Sequence, residues 1–116
     1  MATVLIVDDH PSFRATARAV LEAEGYEVVG EAESGVAALR AVRELRPDVV
    51  LLDVQLPDFD GFEVAARLRA NGARPAIVIT SSRDASDFGR LIPESGARGF
   101  IPKSELSGLT LRELLV

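Results

Sequence analysis

The chain has 116 residues, 13 Lys and Arg against 18 Asp and Glu, a formal net charge of −5 and no cysteine. That is the size of one domain around one substantial core, with neither a disulfide framework nor a thiolate metal site, as suits a reducing cytoplasm. Arginines scattered among acids argue against direct nucleic-acid binding, and apolar runs of about five residues fall far short of the roughly 20 of a membrane span.

Taken in order, strand-like and helix-like segments alternate. Thr3–Val7 reads as a first strand. A helical pattern comes next, with Phe13, Ala17, Val20 and Leu21 on one face, Pro11 near its start and Gly25 as its stop. A second strand is predicted over Tyr26–Gly30. The next helix opens at Ser34 as N-cap, carries Leu39, Val42 and Leu45, and ends before Pro47. Val49–Leu52 is a third strand, and after it a helix with Phe62, Ala65 and Leu68 closes at Asn71-Gly72. Ala76–Thr80 is a fourth strand. The helix expected after it, around Ala85–Ile92, is poor, with Gly89 inside and Pro93 cutting it off. A short fifth strand, Gly99–Ile101, leads to a last helix from about Glu105, with Leu106, Leu109, Leu114 and Leu115 and an interruption at Gly108.

The first, third and fourth strands are almost wholly apolar, the pattern of central parallel strands covered on both faces. Five βα units imply an α/β, doubly wound parallel sheet with right-handed crossovers. No repeat or linker divides residues 1–116, so one domain is expected.

In such a sheet ligands bind beyond the carboxyl ends of the strands. There the sequence places Asp8 and Asp9 after the first strand, Asp53 after the third, Ser81 and Ser82 after the fourth and Lys103 after the fifth. Carboxylates, hydroxyls and one ammonium suit a hard cation plus a phosphoryl group. Mg²⁺ takes oxygen ligands, one carboxylate can attack phosphorus, and a lysine with a hydroxyl can hold the phosphoryl oxygens. Singly, each residue has a plainer reading: Asp9 as a helix cap, Asp53 as a turn former, Lys103 as a solvated charge. The coincidence of all of them at strand ends favours the site. His10, the single histidine, has no Cys or second His beside it and reads as a structural or surface residue.

These residues resemble those of the receiver domains of two-component response regulators. VLIVDDHP (Val4–Pro11) looks like the receiver's first strand and acidic pair, and DVVLLDVQLPDFDG (Asp48–Gly61) like its acceptor strand and loop, with Pro57 and Gly61 four and eight residues beyond Asp53. AIVITSS (Ala76–Ser82) and GARGFIPK (Gly96–Lys103) resemble the fourth strand and the fifth with its lysine. The VDDHP opening is most similar to receivers that precede LuxR-type helix-turn-helix output domains. The resemblance implies a flavodoxin-like (βα)5 sheet of order 2-1-3-4-5. It implies phosphorylation of Asp53 by a sensor histidine kinase, a phosphotransfer protein or a small phosphodonor. Mg²⁺ would be held by Asp8, Asp9, Asp53 and the backbone carbonyl of Gln55, and the phosphoryl oxygens by Ser81 and Lys103. Ser81 and Phe100 would act as the switch pair, and Gln55 and Arg83 would tune dephosphorylation. Output, or a homodimer contact, would run through the face formed by the fourth helix, fifth strand and fifth helix. The domain would be cytoplasmic, either stand-alone or a fragment.

Two departures stand out. Receivers often have Pro directly after the lysine, with a cis bond, whereas here Pro102 precedes Lys103 and Ser104 comes after it. The chain also carries no output domain. Competing functions are an aspartyl-nucleophile phosphohydrolase, a flavodoxin-like nucleotide binder and a non-phosphorylated interaction module. The first is disfavoured because Gln55 stands where a second carboxylate is wanted. The second lacks a phosphate loop after the first strand, and the third would leave a full set of phosphorylation residues unused.

Overall fold

In the computed structural model, which describes residues 2–115, strands and helices alternate as the apolar periods predict. They are β1 (Thr3–Val7), α1 (Pro11–Ala23), β2 (Glu27–Ala32), α2 (Gly35–Leu45), β3 (Val49–Asp53), α3 (Gly61–Ala70), β4 (Ala76–Ser81), α4 (Leu91–Glu94), β5 (Gly99–Pro102) and α5 (Gly108–Leu115). The strands form one parallel sheet in the order β2-β1-β3-β4-β5. This is the flavodoxin-like arrangement.

Because successive strand side chains point to opposite faces, the sheet divides the core in two. On one face Val4, Ile6, Val49, Leu51 and Val78 pack against Ala17 and Leu21 of α1 and Leu111 of α5. On the other, Leu5, Val7, Val50, Leu52, Ile77 and Ile79 pack against Ala38 and Val42 of α2 and Val64, Ala65 and Leu68 of α3. Each fully buried Val, Leu or Ile side chain among them contributes about 1.5–3 kcal/mol.

Helix ends obey local chemistry. Ser34 caps α2 by accepting the Ala37 N–H at 3.1 Å, and Asp60 caps α3 by accepting the Glu63 N–H at 2.9 Å. Helix α1 starts on Pro11, whose missing N–H costs nothing at the first helical position.

Several boundaries differ from the sequence reading. Strand β2 begins after Tyr26 and runs on to Ala32. The poor fourth helix is poorer still: a 3-10 turn at Ala85–Asp87, then four residues of α4. Pro93 lies inside α4 instead of ending it, because N–H groups of a first turn have no helical partner to lose. Gly108 does not interrupt the last helix but begins it. Ser107 and Thr110 bond reciprocally, Thr110 N–H to Ser107 Oγ at 3.1 Å and Ser107 N–H to Thr110 Oγ1 at 2.9 Å, in the manner of a capping box. The residues before it, Lys103–Glu105, form a separate 3-10 turn. Strand β5 reaches Pro102, which an edge strand tolerates. Among the described residues every peptide bond is trans, including Lys103–Ser104.

Candidate functional site

At the carboxyl edge of the sheet the strand phase decides which side chains meet. Asp8 continues the Val4, Ile6 phase, and Asp53 the Val49, Leu51 phase, so both point to the α1/α5 face. Both are buried, Asp8 with no exposure and Asp53 with 2%. Lys103 reaches over this face from the end of β5. Its Nζ lies 2.7 Å from Asp8 Oδ2, 3.5 Å from Asp53 Oδ2 and 4.7 Å from the centre of the Phe13 ring. Asp9 is exposed at the rim.

The fourth strand corrects the choice of hydroxyl. Strand β4 continues through Ser81, which pairs with Pro102 of β5, so Ser81 keeps strand geometry and shares the face of Ile77 and Ile79. That face looks toward α2 and α3, away from Asp53. Ser81 Oγ is already engaged, accepting the Arg83 N–H at 3.0 Å. The residue in register with Asp53 is Thr80. It is buried, in the phase of Val78, and its Oγ1 has no hydrogen-bond partner among the described residues. The hydroxyl beside Asp53 is therefore that of Thr80, not Ser81. Extending the predicted strand by one residue finds it.

Phe100 is the register partner of Ile79 and lies on the same side as Ser81. Its ring stands 5.9 Å from that of Phe88, which in turn is 5.7 Å from Phe62 of α3. The three rings form a path from β5 to α3 beneath the segment after β4. Arg83 is exposed and its Nε lies 3.6 Å from Asp87 Oδ2, while Gln55 is exposed just beyond Asp53.

The loop after β3 is held close. Gly61 N–H donates to Val54 O at 2.8 Å, and a Cβ on Gly61 would collide with the backbone carbonyl of Asp53. Only glycine fits there, which gives the Gly eight residues beyond Asp53 a steric reason. Asp58 anchors the same loop to α2: its Oδ1 accepts the Gly35 N–H at 2.8 Å and its Oδ2 the Val36 N–H at 2.9 Å. These bonds hold its carboxyl below the usual range, the Val36 N–H most of all.

The electrostatics of the centre are frustrated. Burial, and next the charge of Asp8, push the Asp53 carboxyl up to about 6, with Lys103 and the Gln55 N–H pulling the other way. Asp8 Oδ2 and Asp53 Oδ2 are buried without a well-directed hydrogen bond, although the Lys103 ammonium is near. Two buried carboxylates with spare oxygens and one shared ammonium fit a hard divalent cation. Asp8, Asp9, His10 and Asp53 each offer one ligand atom within 4.8 Å of the others. His10, read from the sequence as a structural or surface residue, is exposed and also stands in this cluster.

Comparison with known proteins gives this geometry a family. The model of the response regulator receiver domain matches residues 4–113. The chain is 42% identical over 102 residues to the virulence-factor transcription regulator BvgA of Bordetella pertussis, covering 88% of this chain and 49% of that protein. It is 43% identical over 102 residues to the DNA-binding response regulator MtrA of Mycolicibacterium smegmatis, covering 86% and 43%. The chain thus spans about half the length of these relatives or less. Among solved structures, the signal receiver domain of the response regulator NarL from Mycobacterium tuberculosis superposes with a TM-score of 0.87 at 34% identity, covering 98% of this chain and 96% of that one. A buried acidic pair of strand ends under one lysine, on this sheet and with these relatives, means that the chain belongs to the response regulator receiver domain family.

Proposed function

We propose that the domain is a phosphorylation switch in which Asp53 takes a phosphoryl group in a reaction that depends on Mg²⁺ or a like cation. The observation that carries this is the buried carboxylate of Asp53, with one oxygen unpartnered, beside Asp8 and Lys103. An Asp53 oxygen attacks phosphorus while the bond to the donor's leaving group breaks, giving an acyl phosphate and the free donor (a histidine side chain or acetate). Bound Mg²⁺ would supply charge neutralisation, held by Asp8, Asp9, Asp53 and the Gln55 carbonyl. Lys103 and Thr80 would receive the phosphoryl oxygens, Lys103 as a point charge and Thr80 as a hydroxyl donor on the same face as Asp53.

The partner would be a sensor histidine kinase or phosphotransfer protein, in the cytoplasm. The domain would act as an enzyme only toward its own phosphorylation and dephosphorylation, with Gln55 and Arg83 beside the acceptor tuning the latter. Output would pass through α4, β5 and α5 to an attached domain or to a second copy. Among the described residues no helix is long and apolar enough to cross a membrane.

Incubation with acetyl phosphate and Mg²⁺ should add one base-labile, hydroxylamine-labile phosphoryl group. Chelation, or Asp53→Asn, should abolish it. Labelling that survives Asp53→Asn would overturn the assignment.

A further inference from the structure

The N-cap of α1 behaves unlike the caps of α2 and α3. Ser34 and Asp60 both turn their side chains onto backbone N–H groups of their own helices. His10, at the same position of α1, makes no such bond. Its ring turns toward the acidic cluster instead, where Nδ1 stands 3.1 Å from Asp8 Oδ1 and 3.0 Å from Asp9 Oδ1. The backbone supports this placement, because the His10 N–H donates to the same Asp8 Oδ1 at 2.8 Å. Pro11, next in the chain and first in the helix, narrows the conformations open to His10. The ring is 61% exposed, so no packing forces it there.

We infer that His10 is a nitrogen ligand of the cation site, which gives this domain a preference for a divalent transition cation, Mn²⁺ or one later in the series, over Mg²⁺. The inference rests on the metal site proposed above and goes beyond it in ligand set and selectivity. Two observations point into one place. The ligand atoms of Asp8, Asp9, His10 and Asp53 lie within 4.8 Å of one another, a spread that small side-chain rotations bring to the separation of ligands on a single ion. Asp8 and Asp53, both buried, each also carry one oxygen, Oδ2, that has no well-directed hydrogen bond and only the Lys103 ammonium near it. A cation seated among them would take Nδ1 in place of the hydrogen bond that Nδ1 shares with Asp8 Oδ1, without moving α1. Mg²⁺ takes oxygen and gains little from an imidazole, whereas the divalent transition ions gain from nitrogen, Mn²⁺ least and the later ions progressively more.

The protein contains one histidine, so an untagged chain offers a clean spectroscopic test. Bound Mn²⁺ in the whole domain should show ¹⁴N imidazole modulation in pulsed electron paramagnetic resonance, and His10→Gln should remove it. Calorimetric titration should show Mn²⁺ affinity falling roughly tenfold in His10→Gln, with Mg²⁺ affinity changing by less than about twofold. Tightly bound Mn²⁺ without imidazole modulation would overturn the inference and leave the carboxylate site standing. So would equal losses for Mn²⁺ and Mg²⁺. Failure of the wild-type chain to bind either cation would overturn the metal site itself, and the inference with it.

Discussion

On the α1/α5 face of the sheet, the strand ends carry Asp8, Asp53 and Thr80, and Lys103 closes over them. On the other face, Ser81, one residue beyond Thr80, has its hydroxyl satisfied, and Phe100 of β5 continues into Phe88 and Phe62. One side is charged, buried and short of hydrogen bonds. The other is aromatic and satisfied. Under the proposed function, chemistry and response would lie on opposite sides of a single layer, joined through the backbones of β4 and β5 and the segment between them. A pull on Thr80 must displace Ser81, its neighbour in the chain, and with it the Arg83 N–H that Ser81 Oγ holds. The segment beyond is poorly tied down. Neither its 3-10 turn nor α4 has a side-chain cap, and Leu91 is 51% exposed. Motions used in switching come from such low-stability regions.

The largest expected effect tests whether the charged face is held at the expense of stability. The Asp53 pKa of about 6 lies above its unfolded value of roughly 3.9. Between those values the folded state binds the proton more tightly, so stability falls as pH rises from about 4 to 6 and stays lower above. In a chelator, Asp53→Asn should therefore melt well above wild type at pH 7.5, with the gap closing by pH 4. Saturating Mg²⁺ should narrow it by stabilising wild type through mass action. A mutant no more stable than wild type at pH 7.5 would show that the face is not strained.

The next effect separates the two hydroxyls. A hydrogen bond to a charged group contributes about 1.5–3 kcal/mol, so Thr80→Val should weaken the response to beryllofluoride by roughly tenfold or more, read from chemical shifts across Asp84–Ser95. Ser81→Ala should leave that response within about twofold, because Ser81 Oγ faces away from Asp53. The reverse result would mean that β4 unwinds before Thr80 and that the faces exchange residues on activation.

How much of this the sequence discloses depends on scale. Apolar runs and helix periods suffice for the layer order, and strand ends suffice for Asp8, Asp53 and Lys103. Phase cannot be read from β4 itself. Ile77, Val78 and Ile79 are all buried, so no polar alternation reveals which face Thr80 or Ser81 takes. One residue of error in the strand end therefore exchanges a hydroxyl at the site for one behind the sheet. His10 is hidden for a different reason. A lone histidine carries no metal signature in sequence, and only the turn that bonds its N–H to Asp8 brings the ring among the carboxylates. The start of α5 is within reach, since Ser107 and Thr110 have capping-box spacing, but Gly108 reads locally as a breaker. Its tight contact with the Glu24 side chain is tertiary and lies beyond local rules.

The smallest expected effect probes how firmly the segment behind the aromatic face is closed. Gly89 has φ of +53° and nothing within 4 Å of where a Cβ would stand, so Gly89→Ala introduces backbone strain and no collision. The strain amounts to about 1 kcal/mol. It is felt only while Asp84–Ser95 is closed, because an open segment relaxes it. The loss of global stability is then capped by the free energy of opening the segment. If that opening costs less than the strain, the chain opens instead: amides of Asp84–Ser95 lose protection against hydrogen exchange, while the unfolding free energy read from β1 and β3 amides falls by less than about 1 kcal/mol. If the segment is as firmly closed as the α1 side of the sheet, the whole penalty appears in the β1 and β3 amides and the segment stays protected. The first outcome is expected from four helical residues without a cap. The second would mean that the aromatic face is as rigid as the charged one, and that the response to phosphorylation must be sought elsewhere.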